Sequence, residues 1–118
     1  MKIIDRKTFL TLPSGVLYMP FEPCAFGQLA IKESTVGNDF LVQNLDAVRA
    51  IGDKDEIDIL HEAMESARSF ELDFNCLGRD GMFDDSQLFA IFEPDDVIAL
   101  IRRLSMLIPM AEYLKCDE

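Results

Sequence analysis

Tryptophan is missing from this 118-residue chain, histidine occurs once, and cysteine occurs only three times. Cys24, Cys76 and Cys116 are odd in number and far apart, and no CxxC pair exists. This pattern excludes the usual Cys/His zinc sites and argues against the disulfide framework of a secreted protein. Because Met1 to Lys7 also lacks the apolar run of a signal peptide, we expect a cytoplasmic protein.

The motifs of common enzymes and nucleotide-binding proteins are missing as well. The chain has no GxxxxGK(S/T), no GxGxxG and no GxSxG pattern. The aspartates of the segment 78–86 do not have EF-hand spacing, so we interpret it as a solvated hairpin loop. A Cys–His hydrolase would need His61 to meet Cys24, the one plausible nucleophile, and a third group to orient the ring. We interpret His61 instead as a surface or boundary residue. We therefore expect no catalytic residue, no metal and no cofactor.

Long apolar runs and clustered basic residues are also scarce. The most apolar stretch, 97–110, is broken by Arg102, Arg103 and Pro109, and it is too short to cross a bilayer. The only adjacent basic pairs are Arg102-Arg103 and Arg6-Lys7, which is not the charge pattern of a protein that binds nucleic acid. We expect neither a membrane partner nor direct binding to nucleic acid.

What the chain does contain is the composition of a globular protein. Apolar residues make up 49% of it and charged residues 28%, which excludes intrinsic disorder. The length is near the commonest domain size, so we predict one globular domain over residues 1–118. Such a domain can form a hydrophobic core without disulfides or metal, and the nine phenylalanines are expected to fill much of it.

The first third predicts one helical turn followed by strands. Asp5 is a suitable N-cap for a turn that ends before Pro13. Residues 16–19 read as a strand, and Pro20 predicts that this strand lies at the rim of the sheet. Residues 28–36 alternate as a half-buried strand, with Ile31 on the buried face.

In that strand, Lys32 is predicted on the solvent face. Gly37-Asn38-Asp39 is a turn signal, and strand-like residues resume at 40–42, so the two segments predict an antiparallel hairpin.

Two helices are predicted next. The first runs from residue 44 or 45 to Ile51 and ends at Gly52. The second begins at Asp53, which with Glu56 fits the spacing of a capping box. The buried side of this second helix is predicted from residues three and four apart: Ile57, Leu60, Met64 and Ala67.

The last part predicts a second hairpin and a long helix. Residues 70–76 alternate without interruption and residues 88–92 are continuously apolar, so we expect these two strands to pair. Pro94 suits the first position of a helix that extends to Leu114, with a kink or break at Pro109. Its wide apolar arc predicts either a central core element or a homodimer interface formed by Pro94–Leu114.

The strands arrive in hairpins and not in βαβ alternation, so the order of elements predicts an α+β fold. We expect an antiparallel sheet of two hairpins, with four to five strands, packed against two to three helices. The C-terminal helix is expected to be long.

The strongest functional signal is a one-sided charge. Residues 46–96 contain fifteen acidic and four basic residues, a net charge of −11, and the rest of the chain has seven of each. Such a field attracts basic surfaces. The alternative is that these carboxylates are only the solvated faces of amphipathic elements. The candidate partner-binding residues are Asp55, Asp58, Glu62, Glu65, Glu71 and Asp73.

Several N-terminal segments resemble small uncharacterised proteins encoded by bacteriophages. They are residues 2–10, 12–15, Tyr18, 21–24 and 37–40, within about forty residues. The resemblance implies an accessory role in a bacterial host cytoplasm and no particular mechanism.

Together these observations favour a non-enzymatic acidic binding protein that engages a basic surface on a host or phage protein. A phage-encoded inhibitor that imitates nucleic acid is one form of this hypothesis. The alternatives are a small-molecule or nucleotide-binding domain, with a site in the loops around 20–26 and 78–86, and an assembly or structural component.

Overall fold

A computed structural model describes residues 1–109 of the protein. It is a mixed α/β structure with an open antiparallel sheet and three helices. The elements are β1 (Lys2–Asp5), α1 (Arg6–Leu10), β2 (Val16–Glu22), β3 (Ala25–Phe26), β4 (Ala30–Val36), β5 (Asp39–Asn44), α2 (Glu56–Ser66), β6 (Leu77–Arg79), β7 (Leu88–Ile91) and α3 (Pro94–Ser105).

The sheet has more strands than predicted and a different order. Its strands follow the order β1-β7-β2-β4-β5-β6, and β3 pairs with β2 beside this path. The predicted hairpin of β4 and β5 is confirmed. The predicted second hairpin is wrong, because β7 lies between β1 and β2 and does not pair with the strand-like segment before it.

Pro20 lies in a central strand, so the prediction that β2 forms the rim of the sheet is wrong. Pro20 is opposite Phe89 in β7, while the pairing of β2 with β4 runs only from Val16 to Tyr18. On the side of Pro20 away from β7, its carbonyl accepts a 2.6 Å hydrogen bond from the Gly27 amide. The missing N–H of proline is tolerated because β4 no longer pairs at this position.

The core is an aromatic cluster on one face of the sheet, and α1 covers it. Asp5 caps α1 as predicted, accepting a hydrogen bond from the Thr8 amide. Phe9 of α1 is fully buried; its ring stacks on Phe89 at a centroid distance of 3.9 Å and meets Tyr18 and Phe40 edge-on. The short first helix therefore supplies the central side chain of the core.

Lys32 lies on this core face, so the prediction that it is solvated is wrong. Its residue is 0% exposed, and Ile31 occupies the opposite face of β4. The pairing of Ala30 with Tyr18 sets this orientation, because side chains opposite one another in antiparallel strands share a face. Lys32 is two positions from Ala30 in the same strand, so it lies on the same core face.

Two predicted elements between β5 and β6 are absent from the described residues. Residues 45–54 contain no helix and only two isolated bridges, Val48 with Leu72 and Ile51 with Lys54. The predicted strand 70–76 is reduced to the first of these bridges, and Phe74 and Cys76 are exposed. Alternation alone did not make a strand, because no neighbouring strand is available along the whole segment.

Helix α3 begins at Pro94 as predicted, but it is not long. It ends after 12 residues, at Ser105, whose hydroxyl donates to the Arg102 carbonyl. Pro109 has no N–H to bond the carbonyl of residue 105, and its ring crowds that carbonyl, so the helix ends before it. The part of the predicted helix from residue 110 to Leu114 lies outside the described residues.

Candidate functional site

Helix α2 carries most of the predicted binding residues, and its start differs from the prediction. Asp55, and not Asp53, is the N-cap: its carboxylate accepts a 3.0 Å hydrogen bond from the Asp58 amide. Glu56 and Asp58 then lie in the first turn, where acidic side chains stabilise the helix dipole. The helix ends at Ser66, and Ala67 takes the left-handed conformation.

The apolar stripe predicted as the buried side of α2 is instead exposed. Ile57 is 66% exposed, Leu60 40% and Met64 77%. The only buried residue of the helix is Ile59, which lies on another side. Ile57, Leu60 and Met64, which are three and four residues apart, do lie on one face of the helix, as their spacing predicts. No element within residues 1–109 packs against that face.

Two of the predicted binding residues on α2 have no cationic partner within residues 1–109, and neither has Glu56 in the first turn. Glu62 forms ion pairs with Lys54 at 2.6 Å and with Arg68 at 3.3 Å, and hydrogen bonding to Lys54 holds the pKa of Glu62 below its usual value. Among the described residues, Asp58 and Glu65 form no ion pair. They are seven positions apart, so they lie on one side of the helix, beside the exposed apolar stripe.

The remaining two predicted residues belong to the irregular segment after α2. Glu71 forms a 3.4 Å ion pair with Arg49, and the Asp73 carboxylate accepts a hydrogen bond from the Asn75 amide. Both have local partners of their own. The structure therefore brings Asp55, Asp58, Glu62 and Glu65 together on one helix and places Glu71 and Asp73 on a different element.

A second cluster of charges, which the sequence did not suggest, lies where α1 meets β5 and β6. Arg6 is 4% exposed and Asp39 is 1% exposed. The Arg6 guanidinium donates to the Asn38 carbonyl at 2.7 Å and lies 3.4 Å from Asp80. Asp39 accepts hydrogen bonds from the Arg79 side chain at 3.1 Å and the Gly81 amide at 3.0 Å.

These contacts change the proton affinity of Asp39. Burial by itself would raise the pKa of this carboxyl. The amides of Gly81 and Phe40 and the Arg79 guanidinium outweigh that effect, and the pKa of Asp39 lies below its usual value. Arg6 and Asp39 are distant in sequence and not part of any motif, so no sequence pattern could have paired them.

Beside this cluster is a cavity of about 160 Å³. Burial, and secondarily the charge of Asp80, raises the pKa of the Tyr18 hydroxyl, which therefore stays neutral. Hydrogen bonds from Ser86, with a contribution from the charge of Arg6, lower the pKa of Asp84. The lining residues are Arg6, Tyr18, Pro20, Asp80, Met82, Asp84, Gln87 and Phe89.

An adjoining depression of about 290 Å³ lies between the end of β2 and the segment that leads into β7. It is lined by Phe21, Glu22, Pro23, Asp84, Ser86, Gln87 and Leu88. The two loop regions singled out in the sequence, 20–26 and 78–86, are thus neighbours in space. Cys24 lies at the turn between β2 and β3, where it is exposed and has a positive φ of 65°. His61 is exposed on α2, as predicted.

Over residues 1–109, no group of three or more His, Cys, Asp or Glu side chains is arranged to hold a metal ion. None of the helices in that range has the length and apolar character needed to cross a membrane. Comparison of the chain with protein-family models, curated proteins and solved structures finds no significant match.

Proposed function

We propose that the protein is a non-enzymatic binding protein that uses α2 to engage a groove with a basic rim on another protein. Its concrete form is a phage accessory protein or inhibitor that acts on a host protein in the bacterial cytoplasm. The observation that carries this proposal is the exposed stripe of Ile57, Leu60 and Met64 beside the uncompensated carboxylates of Asp58 and Glu65.

The apolar stripe supplies the anchors. Side chains at positions i, i+3 and i+7 of a helix are the pattern that an apolar groove accepts. Ile57, Leu60 and Met64 have this spacing, and two of the three are more than half exposed. A large exposed apolar stripe rimmed by charged residues is typical of an interaction surface.

The carboxylates of Asp58 and Glu65 would determine which partners bind. Asp58 and Glu65 flank the stripe, and a partner with lysine or arginine at the rim of its groove would pair with them. The net charge of −11 would accelerate the encounter with such a surface and repel acidic ones. Imitation of nucleic acid fits α2 less well, because Glu62 is neutralised by Lys54 and Arg68 and the stripe is apolar.

The test reverses two charges at positions whose side chains do not stabilise the fold. Asp55 caps α2 and Glu62 forms ion pairs, so Asp58→Lys with Glu65→Lys is the cleaner variant. Against a protein captured from bacterial lysate and then purified, we expect this variant to bind at least about tenfold more weakly than the wild type at low salt. Titration by calorimetry at several salt concentrations measures the difference, which should shrink as salt increases.

Glu22→Lys with Asp85→Lys is the matched control, because it makes the same charge change at two exposed positions outside α2. It should bind like the wild type. Equal affinity of the α2 variant and the wild type would refute the proposal, and so would a loss confined to the control variant.

A second candidate function is binding of a small polar molecule in the cavity beside Arg6 and Tyr18. The observation in its favour is that a neutral buried hydroxyl, a guanidinium and two carboxylates line one space of about 160 Å³. Few polar groups in a partly apolar cavity are typical of ligand sites.

A thermal-shift screen with nucleotides, amino acids and divalent cations tests this candidate. A ligand at a hundred times its Kd stabilises the folded state by about 2.7 kcal/mol, which raises the melting temperature measurably. The shift should disappear in Tyr18→Phe, which removes only the hydroxyl. If no compound stabilises the wild type, or if Tyr18→Phe responds equally, the cavity is not the site.

A further inference from the structure

The cavity beside Arg6 and Tyr18 contains a buried hydroxyl without a partner. Tyr18 is 3% exposed, and its hydroxyl forms no hydrogen bond to any group within residues 1–109. Burial, and then the charge of Asp80, raises the pKa of this hydroxyl, so the hydroxyl lies near the Asp80 carboxylate in the lining of the cavity. Since a buried polar group normally has a hydrogen-bond partner, a molecule bound in the cavity would supply the missing one.

The carboxylates that line the same cavity have free acceptor atoms. Both hydrogen bonds to Asp80, from the Arg6 side chain and the Met82 amide, end on Oδ2. Both hydrogen bonds to Asp84, from the amide and the hydroxyl of Ser86, end on Oδ1. Within residues 1–109, one oxygen of each carboxylate therefore has no donor.

The cation in the lining of the cavity, Arg6, already has acceptors. Its guanidinium donates to the Asn38 carbonyl at 2.7 Å and lies 3.4 Å from Asp80 and 4.0 Å from Asp39. Among residues 1–109, the lining side chains carry one positive and two negative charges, which leaves the cavity a net charge of −1. A bound molecule must therefore supply donors and positive charge, and a carboxylate or phosphate would be repelled.

The size and walls of the cavity favour one kind of cation. Its volume of about 160 Å³ exceeds the about 15 Å³ that one water needs and lies below the about 300 Å³ at which sites for drug-sized ligands begin. Pro20, Met82 and Phe89 add apolar wall, which a bare metal ion would not use. A short alkylammonium ion offers three N–H donors and an apolar chain, so it matches both parts of the lining.

We propose that this cavity binds the primary ammonium group of a small alkylamine. The ammonium group donates to the free oxygens of Asp80 and Asp84 and to the Tyr18 hydroxyl, and the carbon chain lies against Pro20 and Phe89. This inference rests on the second candidate function and names the ligand class of that site. It is independent of the α2 surface.

Titration of the ¹⁵N-labelled full chain with n-butylammonium chloride, followed by NMR at constant ionic strength, tests the site. We expect saturable shifts of the amide signals of Asp80, Met82 and Gln87. The dissociation constant should be on the order of 1 mM, which is typical of a ligand with about five heavy atoms. n-Butanol and sodium butyrate have the same carbon chain without the positive charge, so they should produce no saturable shift over the same concentrations.

Two variants locate the ammonium group. Tyr18→Phe keeps the ring and removes the hydroxyl, so it should raise the dissociation constant about fivefold to tenfold. Asp84→Asn removes one of the two carboxylates and should raise it by at least about tenfold. Asp53→Asn makes the same change at an exposed position outside the cavity, so it should alter the constant by less than about twofold. The amide spectrum of each variant verifies that it is folded.

Three results would overturn the proposal. The first is a wild type that shows no saturable shift with n-butylammonium. The second is equal affinity of Tyr18→Phe, Asp84→Asn and Asp53→Asn, which would indicate only a general attraction of cations to an acidic chain. The third is saturable binding of n-butanol or butyrate in place of the ammonium ion. That result would remove the ligand class but retain the cavity as a binding site, so the two failures can be distinguished.

Discussion

Replacing Asp39 by asparagine is expected to lower the free energy of unfolding by about 3–5 kcal/mol, the usual effect of removing one partner from a buried ion pair. Asparagine has almost the same shape but no charge. The Arg6 guanidinium, which is 4% exposed, would keep Asp80 at 3.4 Å but lose its buried counterion at 4.0 Å, and Arg79 would lose its charged acceptor. Chemical denaturation measures the loss, and the melting temperature should fall by on the order of 10–20 °C.

Asp53→Asn is the control for this prediction. It makes the same chemical change at an exposed position, so its effect should stay within about 0.5 kcal/mol. An Asp39→Asn variant as stable as this control would contradict the view that Asp39 joins α1, β5 and β6.

The same residue predicts a difference in acid stability. The folded-state pKa of Asp39 lies below the usual value of 3.8, so the unfolded chain binds a proton at a higher pH than the folded one. The stabilisation from Asp39 is therefore fully present above pH 3.8 and is lost as the pH falls through the lower folded-state value. The stability difference between wild type and Asp39→Asn should shrink on acidification below pH 4 or so, as denaturation at a series of pH values would reveal.

The second large effect is expected from Lys32→Ala, which should cost about 3–5 kcal/mol. The Lys32 ammonium donates to the carbonyls of Leu12 and Glu33 and to the hydroxyl of Thr35, each at 2.9 Å. Burial lowers the pKa of Lys32, and these three acceptors are what keep the ammonium group in place. Alanine would leave the acceptors without a donor and open a cavity beside Phe9.

Lys32→Met separates the loss of the hydrogen bonds from the opening of a cavity. Methionine fills most of the space but donates no hydrogen bond, so we expect an intermediate loss of about 1–3 kcal/mol. Lys7→Ala, at an exposed position of α1, should be nearly neutral. If Lys32→Ala unfolded at the same denaturant concentration as Lys7→Ala, the burial of Lys32 would be refuted.

Local signals in the sequence predicted the features that depend on neighbouring residues. Asp5 before an apolar turn, Gly37-Asn38-Asp39 between two strand-like runs and Pro94 before an apolar run each act within a few residues. The α1 cap, the β4–β5 hairpin and the start of α3 follow from them. The antiparallel α+β class follows from the order of these elements.

Features that depend on distant residues were predicted wrongly. The face of β4 is decided by its pairing with Tyr18, which buries Lys32 in spite of its charge. The strand β7 pairs with β1 and β2, far from it in sequence, so adjacency along the chain misassigned its partner. The period of the apolar residues identified the stripe of α2 correctly. It could not show that this stripe stays exposed within residues 1–109.

The candidate sites show the same division. The acidic character of α2 was evident from composition. The sequence did not show that Glu62 is engaged in ion pairs and Asp55 in the helix cap, which leaves Asp58 and Glu65 as the candidates for binding a partner. The cluster of Arg6, Asp39 and Asp80 had no signal, because its members come from three segments and each is common in surface loops.

The insertion of β7 between β1 and β2 has a consequence for how the chain is made. Ile3 pairs with Ala90 and Tyr18 pairs with Ile91, so β1 and β2 leave the ribosome long before the strand that pairs with both of them. Until then the nascent chain can pair the strands β2 to β6 but not β1, and closing so long a loop is entropically costly. A chain released before Ile91 would lack the strand that joins β1 to the rest of the sheet, so folding should be completed only after β7 has been synthesised.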